Sequence, residues 1–166
     1  MAAGNWPACI AFTLAAEGGL VDDPADPGGL TNFGIAQAAY PGLDIRALTA
    51  VGASAIYARD YWAPVAGDAL AAGVDLMVFD FGVNAGVRET GLALQDCLGF
   101  AGAQRDARIG PLTLAAVAAA EAKSLVIGLF GAQMAHYRAC ADWNDFATGW
   151  TLRCERRREA ALALAG

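Results

Sequence analysis

The sequence predicts a mainly α (α+β) protein, with helices gathered around one small β-hairpin or loop close to the N-terminus. Three observations lead there. Segments with three- and four-residue apolar spacing, bounded by residues that start and stop helices, follow one another along most of the 166 residues. Hydrophobic residues make up 57%, much of it alanine, which suits close-packed helices. The only strand candidates flank a turn over residues 22–29.

The first helix is expected over residues 6–17. Asn5 can cap its start and Pro7 suits its first turn. Ile10, Thr13, Leu14 and Glu17 share one face, and Gly18 suits the residue that ends a helix. Residues 18–35 then hold two prolines, five glycines and three aspartates, the makings of a tight loop or small hairpin. A short helix over 35–40 is expected to stop before Pro41, and Thr49 can cap a helix to about Tyr61. Asp75 can cap a helix through Asn84 that ends at Gly86; its apolar residues cover nearly every face, so it should be largely buried. Further helices are expected over 88–98, 112–122, from Ser124 to about Cys140, and over 151–164. A boundary near 99–110 divides the chain into residues 1–99 and 100–166, although no flexible linker marks it.

Glu17 carries the chemistry. The spacing puts its carboxyl on a buried stripe at a helix C-terminus, where partial desolvation and the helix dipole both disfavour the charged form. Such a setting keeps a glutamic acid protonated and ready to donate. The alternative is an ordinary surface glutamate at a helix end. The loop that follows can fold back and set Asp26 and Thr31 opposite Glu17. An acid facing a second carboxylate and a hydroxyl is the equipment of glycoside hydrolysis. A rigid, wide turn at Asp26 favours the inverting arrangement, with carboxyl groups about 6.5–9.5 Å apart, over the retaining one at about 5–5.5 Å.

These residues also carry a resemblance. Glu17-Gly18-Gly19, followed by Asp26-Pro27-Gly28-Gly29-Leu30-Thr31 and Gly34-Ile35, resembles the signature of glycoside hydrolase family 108, the N-acetylmuramidases of phage endolysins and secretion activators. The order Glu17, Asp26, Thr31 resembles the catalytic triad of phage-type lysozymes. Tyr57, Tyr61 and Trp62, and the run from Phe79 to Gly86, continue the match. Leu94 to Gly99, Ile109 to Thr113 and Gly149-Trp150 resemble the peptidoglycan-binding module that follows in that family. Leu30 departs from the polar residue usual there, and residues 100–107 form a less regular connection than the family's short turn.

The resemblance implies a lysozyme-like fold, with a muramidase domain at 1–99 and a helical peptidoglycan-binding-like module at 100–166. It also implies endolysin-type hydrolysis of the β-1,4 bond between N-acetylmuramic acid and N-acetylglucosamine, with Glu17 as general acid and with Asp26 and Thr31 as its partners. Rival readings are a lytic transglycosylase that uses Glu17 alone, a non-catalytic wall-binding module, and a helical interaction subunit.

Other residues divide between structure and substrate. Asp80 and Asn84, four apart on the buried helix, are either a structural pair bonded to backbone or a polar wall of a sugar cleft, with Asn84 on an N-acetyl or hydroxyl group. Tyr61, and less strongly Tyr57 and Trp62, can stack on sugar rings or serve as core. Trp143, Phe146 and Trp150 read as core. Arg153, Arg156, Arg157 and Arg158 read as a solvated face, with contact to wall phosphates as the alternative.

Composition bounds the rest. The net charge of −6 argues against nucleic acid as a main partner, and no uncharged apolar run is long enough for stable membrane insertion. No basic residue precedes Arg46, so a classical signal peptide is not expected. The chain is expected to be made in the cytoplasm and to act on the cell wall or periplasm after release, by a holin or secretion system, as a monomer on peptidoglycan glycan strands. Cys9, Cys97, Cys140 and Cys154 lack metal-ligand spacing; buried free thiols are expected, with a disulfide open in an oxidising periplasm. No metal and no cofactor is expected. His136 and Cys140 lack the third group and exposed turn of a peptidase, and the Asp22/Asp23/Asp26 cluster lacks calcium-loop spacing.

Overall fold

A computed structural model describes residues 4–22 and 29–166. Helix α1 (Trp6–Glu17) leads into a three-stranded antiparallel sheet of β1 (Val21–Asp22), β2 (Leu30–Asn32) and β3 (Ile35–Ala36). Six helices follow: α2 (Ala50–Tyr57), α3 (Val74–Ala85), α4 (Val87–Cys97), α5 (Pro111–Ala119), α6 (Ala122–Ala139) and α7 (Trp143–Ala165). The architecture is the expected mainly α fold with a small sheet after the first helix.

Helix α3 is the axis of the molecule. Every residue from Val74 to Gly82 is buried, so its unbroken apolar surface meets neighbours on all sides. It packs against α1, α4, α6 and α7. The helices of residues 100–166 therefore share one core with those of 1–99; Leu125, Val126, Leu129 and Ala161 join Cys9, Ile10 and Phe79 in it. Gln95, fully buried, pins the irregular connection after α4. Its amide nitrogen donates to Asp106 Oδ1 at 2.9 Å and its oxygen accepts from Ala107 N at 2.8 Å.

The expected helix over 35–40 does not form. Phe33 and Gly34, at φ 51° and 75°, make a two-residue hairpin loop that returns Ile35 to pair with Asn32. Gln37 N donates to Leu30 O, which keeps the chain on the sheet. Helix α7 begins at Trp143, well before the expected Thr151. Asn5 occupies the cap position of α1 without capping it; its amide donates to Asp75 Oδ2 at 2.9 Å. Asp75 lies inside α3, one residue past its start, and accepts from Gly73 N and Leu76 N. Helix α6 starts before the expected Ser124, and Glu121 caps it, accepting from Lys123 N and Ser124 N. All four cysteines are free thiols, with Cys9 and Cys154 buried.

Candidate active site

Glu17 is the last residue of α1, half-buried, and Gly18 at φ 77° turns the chain away from it. Its carboxyl group lines a cavity of about 290 Å³ together with Gly34, Ala36, Tyr40, Tyr57, Tyr61 and Asn84. Among the described residues, Glu17 is the one carboxylic acid in that wall.

The hairpin loop fits around this group. A Cβ on Gly34 would stand 2.5 Å from Glu17 Oε2 and 2.8 Å from the Tyr57 hydroxyl. Glycine is therefore required twice over, by its positive φ and by the approach of the carboxylate. Tyr57 donates to Phe33 O at 2.7 Å, which ties α2 to the loop. Burial, then the nearby charge of Glu17, raise its pKa. Tyr40 donates to Asp60 Oδ2 at 2.6 Å; burial and this bond push its pKa up to about 12. Both phenols thus stay protonated near neutral pH and act as neutral donors and apolar faces, not as bases. Tyr61 sits on a π-helical turn, residues Ala58–Trp62, that continues α2 and aims its half-buried ring at the cavity. Trp62, by contrast, is core: its ring lies 5.1 Å from Trp6 and 5.5 Å from Phe79.

Arg153 of α7 reaches into the site. Its Nη2 lies 2.7 Å from Glu17 Oε1 and 2.8 Å from Asp80 Oδ1. Asp80 also takes Arg157 Nη1 at 2.7 Å and the Thr13 hydroxyl at 2.8 Å. Asp80 and Arg157 are fully buried. Burial opposes the charge on Asp80, but Arg157 and Arg153 outweigh it and hold the carboxyl below its usual range. For Arg153 burial again opposes the charge, and Asp80 and Glu17 overcome it. Two acids and two arginines form one compensated chain from the core to the cavity.

The structure thus brings together Glu17, Tyr61 and Asn84. Asn84 is exposed, and its amide donates to Asp80 O at 2.7 Å. Asp80 does not reach the cavity: it is buried, and its oxygens are committed to Thr13, Arg153 and Arg157, so it stands behind the cavity wall and holds Arg153 in place. Thr31 lies half-buried on β2, opposite Val21 and Ala36, and its partner Ala36 rather than Thr31 lines the cavity. Asp26 lies outside the described residues. Arg153 was not legible as a site residue, because it stands in a basic run on a helix remote in sequence from Glu17. The spacing from Thr31 to Gly34 was the one signal pointing to the close glycine.

Gly34→Ala is expected to cost more activity than stability. The left-handed backbone contributes about 1–2 kcal/mol of strain. The new methyl group must push the Glu17 carboxylate aside, and displacements of this size lower rates by roughly tenfold or more. Thermal melts read beside turnover on bacterial cell walls separate the two effects; equal activity in the folded variant would show that the carboxylate does not need this position.

Residues 10–86 match the family described as Glycosyl hydrolase 108. No curated protein matches the chain. Among solved structures, that of Brucella abortus SagA is similar at a TM-score of 0.87 and 37% sequence identity, over 98% of this chain and 96% of that one. The family match runs from α1 to the end of α3, the elements that carry Glu17, the sheet and Asn84, and the likeness to SagA extends it over the fold. The chain belongs to glycosyl hydrolase family 108 and is a glycoside hydrolase.

Proposed function

We propose that the protein is an endolysin-type N-acetylmuramidase that hydrolyses the β-1,4 bond between N-acetylmuramic acid and N-acetylglucosamine in peptidoglycan. The observation that carries this reading is the position of Glu17: a helix-end carboxyl group in the wall of an open cavity among neutral tyrosines, touched by a guanidinium and by glycine backbone. Glu17 donates its proton to the glycosidic oxygen. The carboxylate left by this step has the ion pair with Arg153 that the free protein already shows at 2.7 Å. Tyr61 offers a ring face to a sugar, and Asn84 offers polar atoms to an N-acetyl or hydroxyl group. Residues 100–166 contribute Arg153 and act as a wall-contacting module packed on residues 1–99. We place the action of the protein at the cell wall after release from the cytoplasm.

Mass spectrometry of purified peptidoglycan after digestion tests the reading. Fragments with reducing muramic ends are expected. Anhydro ends would instead make the protein a lytic transglycosylase, and no release would make it a binder.

Asp26 is proposed as the second carboxylate, activating water that Thr31 helps to hold. Asp22 is already engaged by Arg46 at the surface. Asp26→Asn should lose far more turnover than Asp22→Asn or Asp23→Asn. In the wild type, an α-configured first product by NMR accompanies a single displacement. A larger loss in Asp23→Asn than in Asp26→Asn, at equal folding, would move the role to Asp23.

A further inference from the structure

A second and larger cavity, about 540 Å³, lies between α1 and the first half of α7. It meets the Glu17 cavity at Asn84, which lines both, and Arg153, the partner of Glu17, stands in its wall. Phe12 and Trp150 supply apolar faces, and Ala15, Ala16 and Gly149 leave depth between the helices. Trp150 is backed by Tyr137 at 5.1 Å and Phe146 at 5.6 Å, so this aromatic wall is braced from behind.

The charge in the groove is selective. Of the four arginines between residues 153 and 158 of α7, Arg153 is paired with Glu17 and Asp80, Arg157 with Asp80, and Arg158 lies over the Phe130 ring at 4.4 Å. Arg156 is exposed, lines the groove, and has no ion-pair or hydrogen-bond partner among the described residues. A guanidinium without a direct partner, in a trough whose wall is half polar and carries the faces of Phe12 and Trp150, marks a place for an anionic group with an apolar stem. The trough joins the Glu17 cavity at Asn84, so on the muramidase reading an anion attached to the reacting sugar is the one within its reach.

We propose that this groove binds the carboxylate-bearing peptide branch of the muramyl residue, with Arg156 on a branch carboxylate and the small apolar side chains of the branch against Phe12 and Trp150. The proposal rests on the muramidase reading and makes the groove its specificity determinant: strands that keep their peptides are better substrates than bare glycan.

The test compares kcat/KM on glycan strands that retain their stem peptides with strands stripped of them by an amidase, for the wild type, Arg156→Ala and Arg156→Lys. The wild type is expected to prefer peptide-bearing strands by about fivefold or more, as one accessible charge-assisted contact plus apolar burial gives. Arg156→Ala should bring the ratio close to one, mainly through KM, and Arg156→Lys should restore part of it. Thermal melts confirm equal folding of these surface variants. Wild-type cleavage of both strands at equal rates, or an unchanged preference in Arg156→Ala, would overturn the branch site while leaving the muramidase reading intact. Cleavage of neither strand would remove both. A preference that follows wall phosphate content instead of peptide content would assign the groove to a phosphate polymer and overturn the proposal.

Discussion

Glu17→Gln is expected to lower wall lysis by roughly 10²-fold or more with the fold intact, the range for loss of a general acid. The amide keeps the shape of the side chain and its place against Gly34, so the cavity is unchanged in outline. What it loses is the proton to donate and the charge that pairs with Arg153. The fold should survive because Arg153 keeps its two contacts to Asp80. Product analysis and a thermal melt on the same sample decide the matter. Near-normal lysis by folded Glu17→Gln would show that Glu17 is not the acid and that the proton comes from a carboxyl group outside this cavity wall.

The helix that ends in Glu17 was legible because its signals are local: apolar residues at helical steps, Pro7 inside the start, and glycine directly after the end. The burial of α3 was legible for the same reason, since an apolar residue at nearly every position leaves no face for water. Residues 35–40 misled because Ala36, Gln37, Ala38 and Ala39 favour helix, whereas the Phe33-Gly34 turn and the Gln37-to-Leu30 bond commit them to the sheet. The early start of α7 was hidden by Gly149 and by residues of weak helix propensity before it; packing of its aromatic face against α6 supplies what propensity lacks. Asp80 was visible as a buried polar residue in need of partners. Its partners were not, because Arg153 and Arg157 lie far along the chain and only the packing of α7 on α3 brings them in. Nonlocal electrostatics is thus the part of the site that no spacing rule reports.

Asp80→Ala is expected to cost about 3–5 kcal/mol of stability, the penalty of leaving a buried charge without its partner. Arg157 is 0% exposed and its Nε already lacks a hydrogen-bond partner, so it has no water to turn to when the carboxylate is gone. Thr13 and Arg153 lose the same acceptor. Activity should fall as well, because Asp80 sets the angle at which Arg153 meets Glu17. The sign of the pH dependence follows from the direction of the shift. The folded carboxyl is held below its ordinary value of 3.8, so its contribution is present above that value and is lost as pH falls through the lower folded one. Below 3.8 the unfolded chain takes up a proton that the folded chain refuses, and stability drops with acid. In Asp80→Ala this source of acid sensitivity is absent, so the variant should melt earlier at neutral pH but lose less on going to acid. Replacing Arg157 as well, in Asp80→Ala/Arg157→Met, should recover part of the loss by removing the orphaned charge. Melts of the three proteins across the acid range settle it: an Asp80→Ala variant as stable as the wild type, with the same acid slope, would show that the buried arginines do not depend on this carboxylate.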